Sequence, residues 1–298
     1  MIKVTNLSKS YGGFYALDGL DLSVKKGSVY GLVGTNGSGK TTLIKHLAGV
    51  LRQDSGQVII DGAPVYENSA LKGRMGYIPD DLYFFGSYNL RESARFYRAL
   101  YPNWNQKRCQ HLAECFSLNE KRKINRLSKG MQKQAAFVLT MACMPDFLIL
   151  DEPIDGLDPI VRKLVWSCIM EDVAQRETTV LISSHNLREM EGVCDSIGIL
   201  NHGKMVIERD LDELKTDIHK VQAAFSHTAK NPYEGLDVLH RETRGSVDLL
   251  IIRNRREVVE RILRERRPIL FDILPLTLEE IFIYELGGAS NEIPSIIF

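Results

Sequence analysis

The chain is 298 residues long, its 38 Lys+Arg balanced by 38 Asp+Glu, for a formal net charge of zero. Such a length predicts about two domains with ample chain for a core, and the even charge offers no basic footprint for nucleic acid. No window approaches the roughly 18 consecutive apolar residues that a spanning helix needs, so the chain is expected to be soluble and to meet a membrane only through a partner.

In chain order, Met1-Ile2-Lys3-Val4-Thr5 reads as the start of a strand rather than a leader peptide. Strands are predicted over residues 2–7 and 16–24, flanking Tyr11-Gly12-Gly13; Lys25-Lys26-Gly27 then turns into a third, apolar strand. Tyr11 has two readings, stacking on a purine base or packing on its own sheet. The third strand runs into Gly34-Thr35-Asn36-Gly37-Ser38-Gly39-Lys40-Thr41-Thr42, and a helix follows with Leu43, Leu47 and Val50 on one face. Short strands are expected at 57–60, ending in an Asp61-Gly62 turn, and at 75–78, ending at Pro79.

From Asp81 to about Lys129 the texture turns helical. Asn89 with Glu92 signals a helix start, Leu90, Ala94, Tyr97 and Tyr101 continue it, and Pro102-Asn103 ends it. A second helix is predicted from about Gln106 to Phe116, with Cys109, Leu112 and Phe116 on one face. Lys121, Arg122, Lys123 and Arg126 read as a solvated face. Leu127-Ser128-Lys129-Gly130-Met131-Gln132 opens a helix whose core stripe is expected to be Met131, Ala135, Val138 and Ala142. Buried strands are predicted at 147–150 and 179–182, the first ending in Asp151-Glu152-Pro153 and the second in Ser183-Ser184-His185. Between them lie the Gly156-Leu157-Asp158-Pro159 turn and a helix from 161 to about 175. A closing hairpin spans 196–208. Past about Leu214 the periodicity resets. Strands at 221–225, 236–240, 247–252 and 269–274 and helices at 255–264 and 278–286 are expected, with turn signals at Asn231-Pro232 and Arg244-Gly245. The five cysteines, Cys109, Cys115, Cys143, Cys168 and Cys194, show no metal spacing and read as reduced, mostly buried thiols.

Gly34, Gly39, Lys40 and Thr41 occupy the fixed positions of a G-x-x-x-x-G-K-[ST] phosphate loop, with a strand before it and a helix after. Glycines let successive backbone N–H groups turn inward at a helix N-terminus, making an anion nest. Lys40 is then placed for the β- and γ-phosphates, and the Thr41 hydroxyl for Mg²⁺. The loop, Asp151 and His185 all fall at strand carboxyl ends, where ligands sit in open α/β sheets.

Taken together these motifs resemble the ATPase subunit of ATP-binding-cassette (ABC) transporters over roughly residues 1–215. The order matches an aromatic A-loop (Tyr11), Walker A (34–41), Q-loop position (Asp80), signature (127–132), Walker B (147–151), catalytic Glu152, D-loop (156–158) and H-loop (His185). The resemblance implies a P-loop α/β fold, with a mainly parallel sheet, an N-terminal antiparallel β subdomain and a helical insert at about 81–129. A small α+β domain would follow over 216–298. It also implies ATP and Mg²⁺ as ligands. Glu152, His185 and Lys40 would be catalytic. Tyr11, residues 34–42, Ser128, Gly130 and Asp158 would bind nucleotide. Thr41, Asp151 and Asp80 would bind the metal. In that family Ser128 and Gly130 reach the γ-phosphate from the opposite subunit, so a head-to-tail homodimer is implied, docked on membrane permease subunits at the cytoplasmic face. No nucleic-acid partner is implied.

Two positions depart from the family pattern. Asp80 stands where Gln is usual, either as a Mg²⁺ ligand through water or as an idle loop carboxylate. The signature reads Leu-Ser-Lys-Gly-Met, placing a charge at Lys129 and losing the Gln amide at Met131, which bears on turnover and coupling more than on binding. Thr277-Leu278-Glu279-Glu280-Ile281-Phe282 resembles the end of bacitracin-resistance-type and multidrug exporter ATPases, which implies export of a drug, peptide or lipid. Tyr83, Phe84 and Phe85 are either permease-docking residues or local core. The Arg255, Arg256, Arg261 and Arg264 helix face is either a regulatory or lipid-facing surface or simply solvated. The alternatives to a transporter subunit are a non-transport ABC ATPase of translation or DNA repair, and a regulatory cassette impaired in hydrolysis.

Overall fold

The computed structural model describes residues 1–226 and 232–286. By contacts it falls into two compact units, residues 1–185 with 193–208, and residues 186–192 with 209 onward. By contacts the second unit resumes at Arg209, and a short stretch after His185 joins it.

In the first unit, β1 (Ile2–Tyr11) pairs antiparallel with β2 (Phe14–Val24). Next come β3 (Val29–Val33), α1 (Lys40–Leu47), β4 (Ser55–Ile60), β5 (Ala63–Pro64), the single turn α2 (Ser69–Lys72) and β6 (Met75–Ile78). Helices α3 (Leu90–Leu100), α4 (Gln106–Cys115) and α5 (Lys129–Ala142) follow, then β7 (Phe147–Leu150), α6 (Pro159–Arg176), β8 (Thr179–Ser184), β9 (Ser196–Asn201) and β10 (Lys204–Asp210). Two sheets result. One is β2-β1-β4-β5, with antiparallel pairs; the other is β10-β9-β3-β8-β7-β6, parallel from β9 through β6. A parallel sheet covered by helices buries its strands on both faces, and every residue of β3, β7 and β8 is buried. The core joins both sheets to α1 through Ile2, Leu20, Leu32, Leu43, Leu47 and Ile149.

Local chemistry accounts for the helix starts. Asn89 and Glu92 exchange side-chain and backbone hydrogen bonds in a full capping box, and Asn105, Ser128 and Asp158 cap α4, α5 and α6. Two expectations need correcting. Val50 lies beyond the end of α1 and is exposed, because Gly49 in a left-handed turn ends the helix before that face comes round. Helix α5 is buried at every position from Gln134 to Ala142, while Met131 is only half-buried. It packs against α3, α4 and β6, so neighbours surround it and no single stripe faces a core.

The second unit holds a one-turn helix (Leu187–Met190), α7 (Leu211–Asp217), β11 (Ile218–Ala224), β12 (Val238–Arg244), β13 (Val247–Arg253), α8 (Arg256–Glu265), β14 (Leu270–Leu274) and α9 (Leu278–Leu286). The sheet β12-β13-β11-β14 is antiparallel and packs its apolar face on Val259 and Leu263 of α8. The arginine face of α8 is solvated and internally paired, Arg256 and Arg264 both reaching Glu260. Asn231 of the expected turn lies outside the described residues. None of the described helices is long and apolar enough to cross a membrane.

Candidate functional site

The loop between β3 and α1 is held in place by two close approaches. A Cβ at Gly34 would run into the Leu200 carbonyl, and Gly39 (φ +110°) would bring one to 2.6 Å from the Ala16 carbonyl. Only glycine permits both, so the loop lies flush on its surroundings and opens α1 beside a cleft of about 290 Å³. Tyr11, Thr35, Asn36, Gly37, Gly39, Lys40, Thr41 and Thr42 line that cleft together with Asp80 and Glu152. Phe14, which the sequence reading passed over, lines it as well and is 60% exposed, as Tyr11 is at 50%. Tyr11 is half-exposed with the Lys9 ammonium over its ring at 5.6 Å from the centroid.

Lys40 is buried, its ammonium donating to the Gly34 carbonyl at 2.7 Å and the Thr35 carbonyl at 3.2 Å. The same nitrogen lies 3.6 Å from Glu152 Oε1, and Glu152 Oε2 is 3.0 Å from His185 Nδ1. Glu152 is therefore flanked by Lys40 and His185, which sets its carboxylate at one place in the cleft. Its backbone is left-handed (φ +47°), uncommon for a residue with a Cβ. Ser183 supports the turn, accepting the Glu152 N–H at 3.0 Å and donating its hydroxyl proton to Asp151 Oδ1 at 2.7 Å. That bridge gives Ser183, the next-to-last residue of β8, a role the sequence alone left unassigned.

Asp151 is 1% exposed, and its second oxygen, Oδ2, has no hydrogen-bond partner among the described residues; neither has the buried Ser38 hydroxyl. A buried carboxylate oxygen left open costs stability unless a ligand takes it up. Burial first, and the Asp151 charge second, push the nearby Tyr77 phenol up to about 12, so it stays a neutral neighbour.

The signature segment does not share this cleft. Ser128 is spent on capping α5, accepting the Met131 N–H at 3.3 Å, and Gly130 lines a second cleft of about 380 Å³ with Lys129, Lys133, Asp155 and Gly156. Asp158 accepts the N–H groups of Ile160 and Val161, each at 3.0 Å. Asp80 borders both clefts, and Lys133 Nζ lies 3.4 Å from its Oδ1. Tyr83 (84%) and Phe85 (44%) are exposed while Phe84 is half-buried, and the Phe85 ring packs against those of Tyr83, Tyr88 and Phe96. Cys109, Cys143, Cys168 and Cys194 are buried, and Cys115 is exposed.

YtrB, an ABC transporter ATP-binding protein of Bacillus subtilis (strain 168), is 33% identical over 288 residues, covering 97% of this chain and 99% of that protein. The chain belongs to the ABC transporter ATP-binding proteins. The ABC transporter family model matches residues 17–155 of this ABC ATPase, from β2 to the turn after Glu152. BcrA, the bacitracin transport ATP-binding protein of Bacillus licheniformis, is 34% identical over 218 residues, 72% of this chain and 71% of its own length. The resemblance to bacitracin-resistance-type ATPases thus extends to the cassette itself. A solved structure titled as the ATP binding subunit of an ABC transporter matches the fold with a TM-score of 0.68 at 28% identity, covering 72% of this chain and 92% of that one. The chain is a nucleotide-binding ATPase of the P-loop ABC fold.

Proposed function

We propose that this ATPase drives a separate membrane permease, as an exporter of a drug, peptide or lipid, and works as a head-to-tail homodimer at the cytoplasmic face. The observation that carries the catalytic reading is the Glu152 carboxylate between Lys40 and His185. Tyr11 takes the adenine by stacking, and the backbone of residues 34–42 with the Lys40 ammonium takes the phosphates. Glu152 accepts the proton of the attacking water, and His185 holds Glu152 in line while facing the γ-phosphate. Rate comes from positioning and charge placement rather than from covalent chemistry.

The residues present fit a divalent cation, since Asp151 Oδ2 is buried and open and the Thr41 side chain lines the cleft. Thr41, Asp151 and Asp80 would hold Mg²⁺, which when bound spreads the charge of the transferred phosphoryl group. The dimer accounts for the two separate clefts. Ser128, which caps α5, and Gly130, which lines the second cleft, complete the phosphate site of a second copy, with Asp158 as a further nucleotide contact. The domain roles follow the same reading. Residues 1–215 form the motor with its helical insert, and the exposed Tyr83 and Phe85 dock the permease. The exporter direction rests on the tail segment at Thr277 and on BcrA.

Glu152→Gln is the direct test. The variant is expected to lose ATP turnover by about a hundredfold or more, while still binding ATP and accumulating as a dimer on size-exclusion chromatography. Parental turnover in that variant overturns the assigned base. Purification from native membranes is expected to bring down an integral membrane protein; ribosomes or DNA in its place overturn the transporter reading.

A further inference from the structure

One side chain near the site is used by none of the assignments above. Lys133 sits in the second turn of α5 with its side chain only 14% exposed, and its ammonium has two acceptors. It donates to the backbone carbonyl of Glu152 at 2.8 Å and lies 3.4 Å from Asp80 Oδ1. These partners come from the β7–α6 turn and from the loop after β6, so one cation ties three separate segments together. Asp80 is half-exposed and borders the phosphate-loop cleft, as does Glu152. A triphosphate entering that cleft therefore meets two carboxylates, one paired with Lys40 and the other with Lys133.

We propose that Lys133 is a positioning residue for ATP turnover with two separable duties. Through the Glu152 carbonyl it holds the left-handed backbone that aims the glutamate, and through Asp80 it neutralises a carboxylate that would otherwise repel the phosphates. The first duty is a hydrogen bond; the second is charge. Departure from Gln at residue 80 is thus matched within the same chain. The carboxylate that replaces the amide carries its own counter-ion on the signature helix. Removing Lys133 alone leaves an unpaired negative charge at the cleft, whereas removing the charge of both partners leaves none. The inference rests on the assignment of this cleft as the nucleotide site.

The experiment is a double-mutant cycle on the full chain. Affinity for a fluorescent ATP analogue is measured in EDTA, so that no cation masks the charge, and steady-state turnover is measured with Mg²⁺. Lys133→Met is expected to weaken the metal-free affinity about tenfold and to lower kcat about tenfold. Adding Asp80→Asn to it is expected to restore the affinity but not kcat. Lys133→Gln, which keeps a donor for the carbonyl without the charge, is expected to lose affinity while keeping most of kcat. It also carries the test should Lys133→Met fail to fold, which thermal unfolding reports. Parental affinity in Lys133→Met or Lys133→Gln, or no recovery on adding Asp80→Asn, overturns the proposal and leaves the site assignment standing. Failure of the parent to bind the analogue overturns both.

Discussion

Asp151 of the first compact unit and Asp248 of the second are both withdrawn from solvent, and their surroundings treat them differently. Asp151 receives one hydrogen bond, from Ser183, and keeps an oxygen open. Asp248 is met by Tyr233 at 2.6 Å, Thr243 at 2.6 Å and Arg241 at 2.8 Å. Burial opposes its ionisation, yet these donors outweigh burial and hold the carboxyl below the usual carboxylate range. Asp248 is saturated with donors, whereas Asp151 keeps an open oxygen, which in the proposed function takes a ligand. The cavity among Ile218, His219, Arg256 and Ile273 in the second unit is lined by residues of that unit's own sheet and helices.

The sharpest way to break this contrast is to neutralise each carboxylate in turn. Asp151→Asn is expected to cut Mg²⁺-dependent ATP turnover on the order of a hundredfold, with no loss in thermal unfolding temperature because a buried open charge has been removed. A lowered unfolding temperature would show that Asp151 serves the fold. Next in size, Gly39→Ala places a Cβ against the Ala16 carbonyl in a left-handed backbone and is expected to destabilise the first unit by about 2–4 kcal/mol, as urea unfolding would report. Asp248→Asn is expected to lower stability by about 1–3 kcal/mol while ATP turnover stays within about twofold of the parent. A loss of turnover at parental stability would overturn the division of labour.

The smallest effect concerns pH. Hydrogen bonds from Lys9 and from the Ser10 backbone and hydroxyl hold the Asp54 carboxyl down at about 2. A depressed folded-state value contributes stability that is present above the unfolded value near 3.8 and is lost as pH falls toward about 2. Asp54→Asn is therefore expected to flatten the acid limb of a stability–pH profile over that window. An unchanged profile would assign the acid sensitivity to other carboxylates.

Most of the first unit was legible because its signals are short-range. The runs at 75–78 and 147–150 are apolar, strand-length and bounded by turn chemistry, and their limits match β6 and β7. The phosphate loop is read from spacing alone. Helices α2 and α7 were missed since four and seven residues hold too little periodicity to register. Lys133 could not have been found, because its partners lie 53 and 19 residues away and only packing brings them together. The same holds for Ser183, whose hydroxyl acts on a strand neighbour 31 and 32 residues distant, and for Phe14, which local spacing left unmarked.

The chain crosses between its two compact units at three points, after His185, after Gly192 and after Glu208. Within the second unit, Arg188 of the returning stretch is ion-paired to Glu279 at 2.8 Å, ninety-one residues on. A single cut near residue 215 would therefore strip that arginine of its mate at a spot three residues from His185, which pairs with Glu152. Anyone grafting this tail onto another motor would have to transplant the 186–192 segment with it, as a matched graft rather than an appendage.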